Sequence, residues 1–285
     1  MQKRVIQVYK APHQWVNGPP GLGDFVRGTC HLFEKLEVSG MEFRVDISQT
    51  EFFHLIEHDE SIFQVGNEGR IAQAEEYFVD HVALHHRIIA FQHSTDSELY
   101  ICTNLGAWHR PSLNDATCEF IKKFYRFNAE IERMTAQALP ATGYEVLSVR
   151  CGDSFYSDPN SRVQANVEAI IFSLIEQKIL PTARFPVVIT SDCYELKCEL
   201  ARRYGMLMLP HKPSHGAYGN ALPVAMDLCL LKHSRTNHHI NTWASWWSGF
   251  SHYTSIIFKI PSINYRAPSF VQEEVNAQGV LITAT

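Results

Sequence analysis

Apolar residues come along this chain in short runs set between amphipathic stretches, and the alternation is cleanest in the second half. The runs Glu145–Arg150, Pro186–Thr190, Met206–Leu209, His239–Thr242 and Ile263–Tyr265 are too short for buried helices and read as strands. Between them Val163–Ile179, Tyr194–Tyr204, Pro223–Leu231 and a stretch from Ser248 carry helical spacing. Strands alternating with helices in this way imply parallel βαβ units and hence a Rossmann-like sheet.

The first half opens the same way. A strand at Val5–Tyr9 is followed by a Pro/Gly loop, Asn17–Gly23, and by a helical pattern from Asp24 that puts Phe25, Thr29, Leu32, Phe33 and Leu36 on one face. Phe43–Ile47 then reads as the second strand. Beyond it the pattern predicts a helix over Ala74–Phe91, a strand over Leu99–Thr103 and one long amphipathic helix over Asp115–Leu139, closed by Pro140-Ala141-Thr142-Gly143. That punctuation sets the expected boundary between an N-terminal domain, residues 1–140, and a C-terminal domain, residues 141–285. A chain of 285 residues suits two such domains, and two parallel sheets of this kind would face each other across a cleft.

Composition narrows the classes. The net charge of −5 comes without a basic run, which argues against a nucleic-acid partner. Seven cysteines with no Cys-x-x-Cys pair read as reduced thiols, so the expected location is cytoplasmic. No stretch approaches the roughly 20 apolar residues of a membrane span.

Four places carry candidate chemistry. Val146 to Val149 runs straight into Arg150-Cys151-Gly152-Asp153, which puts a fork-shaped cation at a strand's carboxyl end, where ligands of open α/β sheets collect. The alternative there is a surface pair between Arg150 and Asp153. Gly18-Pro19-Pro20-Gly21-Leu22-Gly23-Asp24 is a glycine turn between strand and helix, able to offer bare amides to phosphate or to serve as a tight turn with Asp24 capping the helix. Ser191-Asp192 ends another strand, where an aspartate most often caps the next helix. Asp227 sits among apolar residues in Ala225–Leu231, and if buried it needs a dedicated donor. Downstream, Ser248-Gly249-Phe250-Ser251 reads as a helix N-cap with amides and hydroxyls for phosphate and a ring for packing.

Other features are weaker. His81 and His85 have zinc-site spacing, but Val82 stands where His-Glu-x-x-His has its glutamate, so a polar helix face is the better reading. Trp243, Trp246 and Trp247 read as core before they read as a sugar platform. Asp46, about 20 residues beyond the glycine turn, is the feature a dinucleotide site uses for a ribose, though Val26 replaces the third glycine of that motif.

The order Gly-x-Gly-Asp, Arg-x-Gly-Asp, strand then Ser-Asp, and Asp-Leu-x-x-Leu followed by Ser-Gly-Phe-Ser resembles the fucosyltransferase superfamily that includes α1,2-, α1,6- and protein O-fucosyltransferases. The resemblance implies a GT-B fold: two Rossmann-like domains, the nucleotide sugar held mainly by the C-terminal one, and neither essential metal nor cofactor. It implies that Gly21, Gly23, Ser148, Arg150, Asp192, Asp227, Ser248, Gly249, Phe250 and Ser251 bind the donor. Arg150 would hold the β-phosphate of GDP-fucose or another GDP-sugar, and Asp227 would accept from guanine. Ser148 stands where the family has histidine, and Gly23-Asp24-Phe25 where it has Gly-Asn-Gln. The expected activity is inverting transfer to a hydroxyl of a glycan acceptor, with Arg150 neutralising the leaving group. Asp24, Asp153 and the N-terminal histidines are the candidate bases. The absence of Asp-x-Asp from the chain favours a metal-free reaction. An NAD(P)-dependent oxidoreductase using the Gly21–Gly28 turn, and a non-catalytic sugar-nucleotide-binding protein, stay open as alternatives.

Overall fold

The structure, a computed structural model, describes residues 2–9, 21–66, 69, 75–76, 81–103, 112–151, 162–213, 220–242, 249–266, 271–275 and 281–283. They form two compact units: Met1–Ala107 with Asn114–Asn128 and His215–Leu222, and Trp108–Leu113 with Ala129–Ser214 and Pro223–Thr285.

The first unit holds a four-stranded sheet of β1 (Arg4–Val8), β2 (Glu42–Asp46), β3 (Glu75–Glu76) and β4 (Glu98–Cys102), all parallel, in the order β2-β1-β4-β3. Glu75 and Glu76 therefore belong to a strand, and the expected helix over Ala74–Phe91 is α2, His81–His93. Helix α1 (Leu22–Ser39) joins β1 to β2 and ends at Gly40, whose φ of 67° is the left-handed cap that glycine adopts without strain. It packs on α3 (Asp115–Phe124) through aromatic rings. Phe33 stacks on Phe120 at 4.4 Å and Phe25 meets Phe124 at 6.1 Å, while Phe52, from the helical turn Glu51–Leu55, stacks on Phe124 at 5.5 Å. Each such pair adds roughly 0.5–1.5 kcal/mol beyond its buried area.

The helix expected over Asp115–Leu139 is two. It breaks after Phe124 and resumes as α4 (Ala129–Gln137). At the break the backbone turns to pair with another segment: Glu57 donates to the Arg126 carbonyl at 2.7 Å and Asn128 to that of Leu55 at 2.9 Å. The chain passes from the first unit to the second at this point, and Pro140–Gly143 lies inside the second.

The second unit's sheet has seven strands: β5 (Glu145–Arg150), β6 (Val187–Ser191), β7 (Leu207–Met208), β8 (Asn237–Asn241), β9 (Ser262–Arg266), β10 (Val271–Val275) and β11 (Leu281–Thr283). Their order is β11-β10-β9-β8-β5-β6-β7. The run β7-β6-β5-β8-β9 is parallel, and β10 and β11, which the hydrophobic pattern did not announce, add antiparallel at one edge. The helices are α5 (Arg162–Leu174), α6 (Tyr194–Tyr204), α7 (Leu222–Lys232) and α8 (Ser251–Phe258). Helix α5 runs on into a π turn, Ile175–Ile179, which keeps Ile175 and Ile179 buried.

Side chains alternate across β5. Leu147 and Val149 join the aliphatic core with Ile171, Leu174, Leu196 and Leu200 of α5 and α6. Ser148 aligns with His239 of β8, whose Nε2 meets Ser255 Oγ of α8 at 3.1 Å. No helix among the described residues is long and apolar enough to cross a membrane.

Candidate active site

In the second sheet the chain goes from β5 outward to β6 and β7, then returns to the other side of β5 for β8 and β9. The carboxyl ends of β5 and β8 therefore lie at the topological switch point, where the connections diverge and open α/β sheets bind ligands. Arg150 is the last residue of β5, paired in register with Asn241 of β8. Thr242 secures this corner by donating its amide to the Arg150 carbonyl at 3.1 Å and its hydroxyl to that of Cys151 at 3.0 Å. Residues 145–149 are buried, whereas the Arg150 side chain is 46% exposed.

Asp192 does not cap the helix that follows it. Cys193 occupies the N-cap of α6 with no side-chain capping bond. The register of β5 on β6 sets Val149 opposite Ser191, which brings Asp192 beside the end of β5. One carboxylate oxygen accepts from the Cys151 amide at 2.7 Å, and the other meets Arg150 Nη1 at 2.8 Å. Arg150 therefore pairs with a carboxylate of the neighbouring strand; Asp153, the partner expected from local sequence, lies outside the described residues. Burial, and then the Asp192 charge, push the Cys151 thiol's pKa up, which favours its neutral form.

Ser148 is on the same side of β5 as Arg150, two residues earlier and buried. Asp227 is buried too, in a helix whose residues from Pro223 to Leu231 are buried throughout. Its donor is His211, whose Nε2 lies 3.1 Å from Asp227 Oδ1. Lys197, 1% exposed, donates to the His211 carbonyl at 3.3 Å. Neither Lys197 nor His211 was anticipated from the sequence. For Lys197 a signal exists: Cys193, Leu196 and Leu200, at the spacings of one helix face, flank it and are all buried.

The helix expected from Ser248 begins at Ser251, with Phe250 in the N-cap position and no side-chain cap. Gly249 and Phe250 form a half-buried turn, Ser251 is buried in the first turn, and Ser248 lies outside the described residues with Trp243, Trp246 and Trp247. The Phe250 carbonyl accepts from the Thr254 hydroxyl at 2.7 Å.

In the first unit Gly21 is the N-cap of α1, its carbonyl accepting from the amides of Asp24 at 2.9 Å and Phe25 at 3.0 Å. Gly23 lies in the first turn. Asp24 does not cap the helix; it pairs with Arg27 Nη2 at 3.1 Å. Arg27, 2% exposed, is a buried cation one turn inside the helix, which the apolar pattern of α1 did not reveal. Asp46 is 1% exposed and engaged on both oxygens. Oδ1 accepts from the Ser48 amide at 2.9 Å and hydroxyl at 2.6 Å, and Oδ2 from the Gly66 amide at 2.6 Å. A carboxylate buried and committed in this way is not presented to a ribose. His81 and His85 are exposed on α2, and no cluster of three metal-ligating side chains occurs among the described residues.

Two helix-connected sheets, one parallel and one mainly so, the latter with a charged pair at its switch point, define an α/β protein of the Rossmann-like class. No family model matches the chain, and no curated protein matches it. Its fold is similar to solved structures of NodZ, an α-1,6-fucosyltransferase. The form soaked with GDP-fucose aligns over 100% of both chains with a TM-score of 0.57 and 14% identity. The form co-crystallized with GDP covers 99% of both chains with a TM-score of 0.55 and 14% identity. NodZ from Bradyrhizobium aligns over 99% of both chains with a TM-score of 0.54 and 13% identity. The likeness is one of fold, and it extends along the whole chain.

Proposed function

We propose that this protein is a glycosyltransferase of GT-B arrangement that moves a sugar, fucose from GDP-fucose, to a hydroxyl of a glycan acceptor. The observation that carries the reading is Arg150, a half-exposed guanidinium at the switch point of the second sheet, held by Asp192. Departure of GDP from the anomeric carbon builds negative charge on the diphosphate. A guanidinium already oriented by a neighbouring carboxylate stabilises that charge without reorganising at the moment of reaction. Attack from the opposite face inverts the anomeric centre, with Asp24 or Asp153 taking the acceptor's proton. Gly21, Gly23, Gly249 and the start of α8 would supply amides to the phosphates, with Ser148 beside Arg150 and Phe250 against the base. Fold-level likeness to fucosyltransferases, one of them soaked with GDP-fucose, supports the donor class. The engaged Asp46 speaks against the oxidoreductase alternative.

Binding and turnover test this together. GDP at about 100 times its Kd should stabilise the protein by about 2.7 kcal/mol in thermal unfolding. Arg150→Ala should abolish this, and Arg150→Lys should restore only part of it, since lysine keeps the charge and loses the fork. Transfer should continue in EDTA. Unchanged GDP affinity in the alanine variant overturns the site; activity lost to EDTA and restored by manganese overturns the metal-free reaction; GDP binding without turnover over a panel of acceptors leaves a sugar-nucleotide-binding protein.

A further inference from the structure

Around Asp227 three polar groups from three separate segments meet, two of them buried and one half-buried. Lys197 belongs to the first turns of α6, His211 follows the end of β7, and Asp227 is on α7. His211 is tied at both ends: its carbonyl accepts from Lys197 Nζ at 3.3 Å, and its ring meets Asp227 Oδ1 at 3.1 Å. The imidazole and the carboxylate side chains are 13% and 10% exposed. Burial drives the lysine's proton affinity down, and the nearby Asp227 charge opposes that shift. Such a cluster is an expensive way to fill a core. Buried charges cost several kcal/mol unless paired, and packed apolar residues of like volume do as well or better. The rest of α7 from Pro223 to Leu231 is apolar and buried, so an aliphatic residue would have continued the pattern at 227.

We propose that His211, anchored by Lys197, is a positioning residue that fixes the Asp227 carboxylate in one orientation and thereby sets the selection of guanine over uracil. The proposal rests on the reading of Asp227 as the group that meets the base. With Oδ1 held by the imidazole, Oδ2 and the remaining lone pair of Oδ1 form a fixed double acceptor. Guanine matches it with two adjacent donors, N1–H and N2–H₂. Uracil has a single N–H between carbonyl oxygens that would face the charge, so a rigid carboxylate rejects it, whereas a carboxylate free to rotate discriminates less.

Calorimetric titration of the full chain with GDP and with UDP, alongside thermal unfolding of each variant, tests this. His211→Ala should weaken GDP about tenfold or more while leaving UDP within about twofold, the scale of a lost charge-assisted hydrogen bond. His211→Gln, whose side-chain amide can donate to the same oxygen, should recover most of the GDP preference. If the alanine variant does not fold, His211→Asn, whose shorter amide falls short of Asp227, takes its place. Equal weakening of both nucleotides, or a glutamine variant no better than alanine, makes His211 a structural residue and overturns the proposal. Asp227→Asn, made in parallel and also in a Lys197→Met background so that no buried ammonium is left without its counter-charge, separates the two levels. An unchanged GDP-to-UDP ratio in both means that Asp227 does not read the base. A collapsed ratio there with an intact ratio in His211→Ala overturns the positioning role alone.

Discussion

Asp46 and Asp192 occupy equivalent places in two sheets of the same kind. Each sits at the carboxyl end of the strand that follows the sheet's first βα connection, next to the first strand: Asp46 opposite Val8 of β1, Asp192 beside the end of β5. Asp46 turns into its own loop and binds Ser48 and Gly66. Asp192 turns across to the next strand and binds Arg150 and the Cys151 amide. What lies across the sheet makes the difference. In the first unit β1 runs out into Tyr9, which is buried and stacked on Phe25 at 4.4 Å. In the second, β5 runs out into a guanidinium, and the edge keeps a charged pair in partial contact with solvent. One topology thus yields a carboxylate that builds a loop and a carboxylate that orients a cation.

The sharpest control on that contrast is a buried contact between a histidine and a carboxylate at the opposite end of the second sheet. His238 Nε2 lies 2.8 Å from Glu145 Oε2, with side chains 2% and 6% exposed. Leaving the buried Glu145 carboxylate without this donor costs about 3 kcal/mol. His238→Ala should lower stability by that order at pH 7 and leave GDP affinity of the folded protein unchanged. Burial raises the Glu145 carboxyl's pKa, but His238 and the Arg184 amide more than offset this and hold it below the usual 4.5. A depressed folded value stabilises above the unfolded one, so the gap between wild type and variant should be full above about pH 4.5 and narrow as pH falls below it. Denaturant titrations at pH 7 and 3.5 measure this; a gap that widens in acid contradicts the assignment.

The next effect is in the first unit. Asp46→Asn removes the charge and leaves at least one donor of Ser48 or Gly66 facing an amide NH2, and should cost about 2 kcal/mol of stability, with GDP affinity unmoved. Weakened GDP binding in that variant would break the distinction between the two edges. The smallest effect on the fold belongs to Asp192→Asn. The amide oxygen still accepts from Cys151, and the half-exposed Arg150 contributes little to stability. Yet a guanidinium no longer held by a carboxylate should bind GDP about tenfold less tightly, read by calorimetry. Unaltered affinity would mean that Arg150 needs no partner.

Much of the architecture was legible because parallel βαβ units write themselves as alternation: Glu145–Arg150 and Tyr194–Tyr204 are found at the boundaries that periodicity predicts. Where the chain's local preference meets a distant partner, periodicity fails. Residues 125–128 continue a helical pattern, but backbone bonds to Leu55 and Glu57 take them out of it. The same limit applies to the site. Arg150 stood out because a charge ends an apolar run. That Asp192 bridges instead of capping depends on the β5–β6 register, which no local motif encodes. Lys197 left a trace in its apolar neighbours, and His211 left none.

The first unit is assembled from three pieces of chain, the last of them His215–Leu222, where the Ala221 amide donates to Glu51 at 3.1 Å. During synthesis, then, the residues up to 128 emerge without the segment that completes their unit. They must wait while most of the second unit, including β5, β6 and β7, is made. The N-terminal unit is begun first but completed only after β5, β6 and β7 of the second have been made, so the two units are synthesised interleaved and not one after the other.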